Sequence, residues 1–167
     1  MKNIIFINGT MGVGKTATSR ELQRLLPKCS FLDGDWCWDM NPFIVTDETK
    51  KMVEENIRYI LNNFLKCSEY ENIIFCWVMH EEHIIESIVS GINLQNAILY
   101  KISLICSEQS LVERLLKDVD NGIRTIDVIA RSVSRLNNYE LLDTIKIDVS
   151  NIDAIQASQQ IINYIGE

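Results

Sequence analysis

The stretch Asn3-Ile4-Ile5-Phe6-Ile7-Asn8-Gly9-Thr10-Met11-Gly12-Val13-Gly14-Lys15-Thr16 decides the fold. Its first six residues are β-branched, aromatic or flanking polar, the composition of a strand buried on both faces in a parallel sheet. The next eight satisfy G-x-x-x-x-G-K-[ST] in full. Behind them, Lys15 to Leu26 reads as an amphipathic helix with Leu22, Leu25 and Leu26 on one face, stopped by Pro27. A strand, a glycine loop and a helix in this order form a phosphate cradle: the loop amides and the helix N-terminus point at an anion that a side chain at the glycines would hold off. Gly9, Thr10, Met11, Gly12, Val13 and Gly14 are the candidate loop contacts to ATP. Lys15 is placed to reach the β- and γ-phosphates, and Thr16 offers a hydroxyl to Mg²⁺. A chance glycine turn is the plain alternative, and it leaves the flanking strand and helix without a reason.

Outward from this unit, strands alternate with helical stretches. A short strand ends near Phe31-Leu32 and an irregular stretch runs from Asp33 through Asn41-Pro42. A long helix from near Thr46 carries the stripe Met52, Val53, Ile57, Ile60, Leu61, Phe64 and Leu65, with Arg58 off it. Ile73–Val78 is a buried strand, followed by a helix over Glu82–Ser90, and Ala97–Ile105 is a further strand. Ser107 is placed to cap a helix bearing Leu111, Leu115 and Leu116. Polar residues 118–122 break that helix, and another runs from Thr125. Thr144–Val149 is the fifth strand and Ile152–Ile165 the closing helix. The alternation predicts an α/β fold, a three-layer α/β/α sandwich on a five-stranded parallel sheet, with all 167 residues in one domain.

The net charge of −7 argues against nucleic acid or anionic lipid as a partner. Five cysteines without a C-x-x-C pair fit reduced thiols. Neither a charged leader with a cleavage site nor an apolar stretch of membrane-spanning length occurs, so a cytoplasmic protein is expected. Nothing in the pattern assigns an oligomeric state.

A triphosphate cradle leaves open a GTPase switch, a mechanical ATPase or a small-molecule kinase. A base-reading N-K-x-D element is missing from the sequence, which removes the first. The strand Phe75-Cys76-Trp77-Val78-Met79-His80 carries no Asp for a metal, which counts against the second, with Glu81 and Glu82 just beyond. Phosphoryl transfer to a small acceptor needs a carboxylate opposite the loop to orient the attacking oxygen. Asp33 and Asp35, two residues apart after the second strand, supply it, and in an extended segment both point to one side. An ordinary Asp-Gly turn is the competing reading.

At motif level the sequence resembles the nucleotide and small-molecule kinases built on this loop, particularly shikimate and gluconate kinases and more distantly chloramphenicol phosphotransferase. Phe31-Leu32-Asp33-Gly34-Asp35 is similar to F-x-D-x-D and L-D-G-D of these families, and Thr46-Asp47-Glu48 to the T-D-E of gluconate kinases. Leu111-x-x-Arg114-Leu115 and Arg131-x-x-x-Arg135-x-x-x-Tyr139 resemble the group as well. The resemblance implies a nucleoside monophosphate kinase-like fold with a lid at about 118–135 and an acceptor-binding segment at about 36–66. It implies that Asp35 binds and activates the acceptor hydroxyl, that Asp33 holds Mg²⁺ through water, and that Arg114 contacts the nucleotide. Asp148-Val149-Ser150-Asn151 then ends the last strand where backbone groups meet the adenine. Thr49 and Trp36-Cys37-Trp38 depart from the gluconate pattern and Val78-Met79-His80 from the shikimate pattern, so neither acceptor is assigned.

On one continuous helix Arg124, Arg131 and Arg135 fall within a wedge of roughly 40°, opposite Ile126, Ile129, Val133 and Leu136. Such a cationic stripe suits a triphosphate and the charge of transfer, and it is the set expected to act in catalysis with Lys15 and Asp35. A solvated face balanced by Glu113 and Asp127 is the other reading. Trp36 and Trp38, with Met40 and Phe43, are candidates for an aromatic acceptor wall, and Arg58 for an anion grip. His80, read as closing the strand beside the nucleotide strand, is a candidate for reaching acceptor or γ-phosphate. His80-Glu81-Glu82-His83 lacks a third ligand and is not expected to bind zinc. The function expected is ATP- and Mg²⁺-dependent phosphorylation of a small molecule. A nucleotide-binding regulator or weak ATPase is the alternative, and an antibiotic-modifying kinase a further one.

Overall fold

The computed structural model describes residues 1–166. Five strands, β1 (Lys2–Asn8), β2 (Cys29–Asp33), β3 (Asn72–Cys76), β4 (Ala97–Ile105) and β5 (Ile145–Asp148), form one parallel sheet in the order β2-β3-β1-β4-β5. Ile5 of β1 lies opposite Ile74 and Tyr100 of its two neighbours. The central strand is apolar on both faces because both are covered. Ile4 and Phe6 pack with Val53, Ile57, Leu61 and Ile85, whereas Ile5 and Ile7 pack with Leu22, Ala157 and Ile161. The first face is closed by α2 (Asp47–Lys66) and α3 (Glu82–Ser90), the second by α1 (Lys15–Leu25) and α7 (Ala154–Ile165). This is the expected three-layer α/β/α arrangement.

From β1 the chain moves to β2 on one side of the sheet, and from β4 to β5 on the other. The carboxyl ends of β1 and β4 therefore bound the crevice where open α/β sheets take ligands. Asn8 holds that end together: its side chain donates to the Met79 carbonyl at 2.7 Å and accepts from the Met79 and Gly9 amides at 2.9 Å.

Helix starts follow local chemistry. Thr46 and Thr49 form a reciprocal capping box at α2, so Thr46-Asp47-Glu48 is a helix N-terminus with Asp47 and Glu48 exposed in its first turn. Ser107 caps α4 (Glu108–Asp120) by accepting from the Ser110 amide, as its residue type predicts.

Three expectations need correction. β3 stops at Cys76, so His80 lies in the loop before α3 and does not close a strand. Gly34–Trp38 is a 3-10 turn, entered through the Asp33 side chain, which accepts from the Asp35 amide at 3.1 Å. The alternation that would place Asp33 and Asp35 on one side therefore ends at Asp33. Nor is there one helix from Thr125: α5 spans Val128–Ser134 and α6 Leu136–Leu141, meeting at Arg135. Arg124 precedes both, so the wedge computed for a continuous helix does not exist. Ile129, Val133 and Leu136 still pack on Leu111, Leu115 and Val128, but Ile126 is exposed.

Candidate functional site

The glycine loop is held by its neighbours before any ligand is considered. Gly12 has φ +85°, and a Cβ there would sit 2.4 Å from Leu115 Cδ2 on α4. Thr10 Oγ1 donates to the Ser132 carbonyl at 2.8 Å, tying the loop to α5. Lys15 Nζ donates to the Thr10 carbonyl at 3.0 Å. Burial pulls the lysine below its ordinary pKa, while Asp35 and Asp33 act in the opposite direction and Arg124 adds to the lowering. An anion in the loop restores the preference for a charged ammonium.

Asp33 and Asp35 sit in two different surroundings. Asp33 is buried and accepts from Thr16 Oγ1 at 2.8 Å, which places a hydroxyl and a carboxylate together at the loop. Hard oxygen donors of this kind, completed by phosphate and water, fit Mg²⁺. No group of three or more acidic, His or Cys side chains suited to a metal occurs among the described residues. Asp35 opens onto a cleft of about 860 Å³. Crowding by protein and the adjacent Asp33 push its carboxyl above the usual range, while Lys15, Arg124 and a hydrogen bond from Trp77 oppose them.

That cleft brings Asp35 together with Met11, Trp38, His80, Arg131 and Arg135 from the sequence candidates. It also contains Phe43, Val45, Trp77, Val78 and Ile84, and the charged or titratable Lys50, Glu54, Glu81 and His83, none of which had been singled out as an acceptor contact except Phe43. Trp38 and Phe43 form one tilted aromatic pair, with centroids 5.8 Å apart. Trp77 lies directly over Gly34, where a Cβ would come within 2.5 Å of its Cγ. Gly34→Ala is therefore expected to cost about 1–3 kcal/mol in chemical unfolding and to move Trp77 off Asp35.

His80 lines the cleft, with Nδ1 buried and unpartnered among the described residues. Its pKa falls below the ordinary value through burial and then through Arg135, so the ring is neutral near pH 7. Arg131 and Arg135 line the same cleft. Arg124 stands near enough to Lys15 and Asp35 to act on both, and its Nε is 3.0 Å from Asp118.

Three candidates lie elsewhere. Trp36 is 49% exposed, packs edge-on against Phe31 and under the Arg20 guanidinium, and with Met40 borders a separate hollow against α2. The 3-10 turn directs Trp36 and Trp38 apart, which removes Trp36 and Met40 from the expected wall. Arg58 does not line the cleft. Its guanidinium donates to Glu54 at 2.8 Å and to the Ser87 carbonyl at 3.0 Å, because α2 packs on α3 and an off-stripe arginine finds partners there.

A smaller hollow of about 200 Å³ lies behind the loop, bordered by Gly14, Thr18, Arg114, Val149, Ile152 and Ala154. Arg114 donates to the Val13 carbonyl at 2.9 Å and to the Val149 carbonyl, bridging the loop to the end of β5. At the end of β3, where a mechanical ATPase carries a metal-binding carboxylate, stands buried Cys76, whose thiol is pushed up to about 12 by burial and then by Asp33.

A family model described as an AAA domain matches residues 5–139, which span the loop, both aspartates and the arginine segment. The chain belongs to that family. No curated protein matches this AAA-domain chain in sequence. Among solved structures it is similar to the tunicamycin resistance protein of Deinococcus radiodurans, with TM-score 0.70 and 21% identity over 99% of this chain and 96% of that one. It is also similar to shikimate kinase from Acinetobacter baumannii, solved with shikimate (0.66, 18%, 99% and 93%). A gluconokinase from Sinorhizobium meliloti 1021 gives 0.63 and 14%, with 99% and 95% covered. At these identities the likeness shows the fold: this AAA-domain chain has the kinase-like P-loop architecture.

Proposed function

We propose that the protein is an ATP- and Mg²⁺-dependent phosphotransferase that moves the γ-phosphoryl group to a hydroxyl or phosphate oxygen of a small molecule. The observation that carries this reading is Asp35, whose carboxylate is close enough to Lys15 at the glycine loop to feel its charge and borders a cleft large enough for an acceptor. In the reaction the acceptor oxygen bonds to the γ-phosphorus, the bond from that phosphorus to the β–γ bridging oxygen breaks, and ADP leaves with the electron pair. Where the acceptor is a hydroxyl, its proton passes to Asp35; an ionised phosphate oxygen has none to lose. Loop amides and Lys15 hold the phosphates, with Arg131 and Arg135 approaching from the cleft and Arg124 near Lys15. Thr16 and Asp33 would hold Mg²⁺, Asp33 through water, and the ion would offset charge that develops on the phosphates. The hollow at Arg114 and Val149 suits the nucleotide base. Residues 118–135 serve as the lid that excludes water once the acceptor is bound.

The test incubates the protein with ATP, Mg²⁺ and pooled hydroxylated metabolites, nucleosides and antibiotics, following ADP release and phosphorylated products by mass spectrometry. The likeness to a tunicamycin resistance protein is the reason to include antibiotics, and growth protection by the expressed chain checks that case. Acceptor-dependent ADP release with a product heavier by one phosphoryl group is the expected result. ATP hydrolysis unaffected by every pool would overturn the proposal in favour of a weak ATPase or nucleotide-binding regulator, a reading that Cys76 in place of a carboxylate at the end of β3 permits.

A further inference from the structure

Besides Asp35, the cleft is lined by a carboxylate fixed by two donors, Glu54, and by several apolar side chains. Glu54 Oε2 accepts from Arg58 Nη2 at 2.8 Å and from Ser87 Oγ, while Arg58 donates in turn to Ser87 Oγ at 2.6 Å. The arginine stem lies against Gly91, where a Cβ would meet Arg58 Cδ at 2.3 Å, and its guanidinium is held at Ser87 and Glu54. Glu54 Oε1 has no hydrogen-bond partner among the described residues, and Glu54 itself lines the cleft. Trp38, Phe43, Trp77 and Ile84 line the same cleft. Of the other charged groups lining the cleft, Asp35, Arg131 and Arg135 belong to the proposed transfer machinery, Glu81 is shared between His80 and His83, and Lys50 is exposed with Asp47 at 3.6 Å.

Resting on the phosphotransferase reading, we infer that the acceptor carries its hydroxyl on an apolar ring-containing body whose amine or amide N–H donates to Glu54, and that carboxylic acid acceptors are refused. A carboxylate in this position meets the free oxygen of Glu54 with the arginine facing the other way. An ammonium or amide gains a charge-assisted hydrogen bond on a carboxylate already oriented by two donors.

A matched series tests this: benzyl alcohol, its aminomethyl derivatives and its carboxyl derivatives, substituted meta or para to the hydroxymethyl group. Binding of each is measured by ligand-observed NMR with Mg²⁺ and a non-hydrolysable ATP analogue present, for the wild type and for Glu54→Gln, which keeps an acceptor for Arg58 and Ser87. At least one amine is expected to bind roughly tenfold or more tightly than benzyl alcohol, with the acids weaker than either. In Glu54→Gln the amine advantage should shrink severalfold while benzyl alcohol binding holds, a split that a merely structural Glu54 would not give. Acids binding as well as amines, through Lys50 for example, would overturn the inference, as would no binding by any member up to its solubility limit. Phosphorylation is followed separately with ATP. Amine preference without product would count against the phosphotransferase reading and leave the specificity of the cleft standing.

Discussion

Lys15→Ala is expected to abolish phosphoryl transfer in a chain that still folds. The side chain lies at the loop with its ammonium on the Thr10 carbonyl, and burial is the largest influence on it, lowering its pKa. A base lowered on folding is penalised wherever the unfolded chain holds a proton more firmly. The penalty is full below the lowered pKa and fades as pH rises into the ordinary lysine range. Removing the lysine lifts this penalty at neutral pH, so the melting temperature without nucleotide should hold or rise. With ATP and Mg²⁺ the order reverses. The wild type gains a phosphate-bound cation and a thermal shift, whereas the variant loses one charge-assisted contact and about 10–100-fold in nucleotide affinity. Because the same ammonium stabilises charge during transfer, turnover should fall by about 10³-fold or more. Isothermal titration and product formation check the two losses separately, and a variant that turns over normally would remove Lys15 from the chemistry.

Asp35→Asn should spare nucleotide binding and lower transfer by about 10²–10⁴-fold, the contribution usual for a positioned general base. The pH profile adds a second reading. Crowding and Asp33 raise the carboxyl above the ordinary aspartate value, so the acid limb of kcat/KM in the wild type should lie above that of a free aspartate and disappear in the variant. Stability should move the other way. A carboxyl raised on folding opposes the fold fully above its folded pKa and not at all below the ordinary value. Asp35→Asn is therefore expected to melt higher than the wild type at neutral pH, the difference vanishing as pH falls through the carboxylate range. A variant both less stable and less active would instead mark Asp35 as a structural residue.

The fold was legible because its signals are local. An apolar run at Ile4–Ile7, a glycine loop whose spacing only a phosphate cradle explains, and helix caps at Thr46 and Ser107 each act through neighbours in the chain. The identity of the two aspartates was legible for the same reason. Their separate assignments came from the family resemblance alone; spacing put both on one side, because it could not foresee the 3-10 turn that follows Asp33 directly and replaces strand alternation with a tighter rotation. Arg58 and Glu54 show the other kind of gap. One turn apart on α2, they could each have faced the cleft, and Ser87 and Gly91 on and beyond α3 decide which does.

By itself, then, the sequence determined a parallel α/β sheet with a polyphosphate loop at its centre and two carboxylates beside it, since strand pattern, glycine spacing and capping are chemistry of adjacent residues. Only the tertiary structure decided which carboxylate meets Thr16, which opens onto the cleft, and that Glu54 lines that cleft while Arg58 is turned into the helix interface. Those outcomes depend on the packing of α2 against α3 and of Trp77 over Gly34, contacts between residues 29 to 43 positions apart that no local pattern encodes.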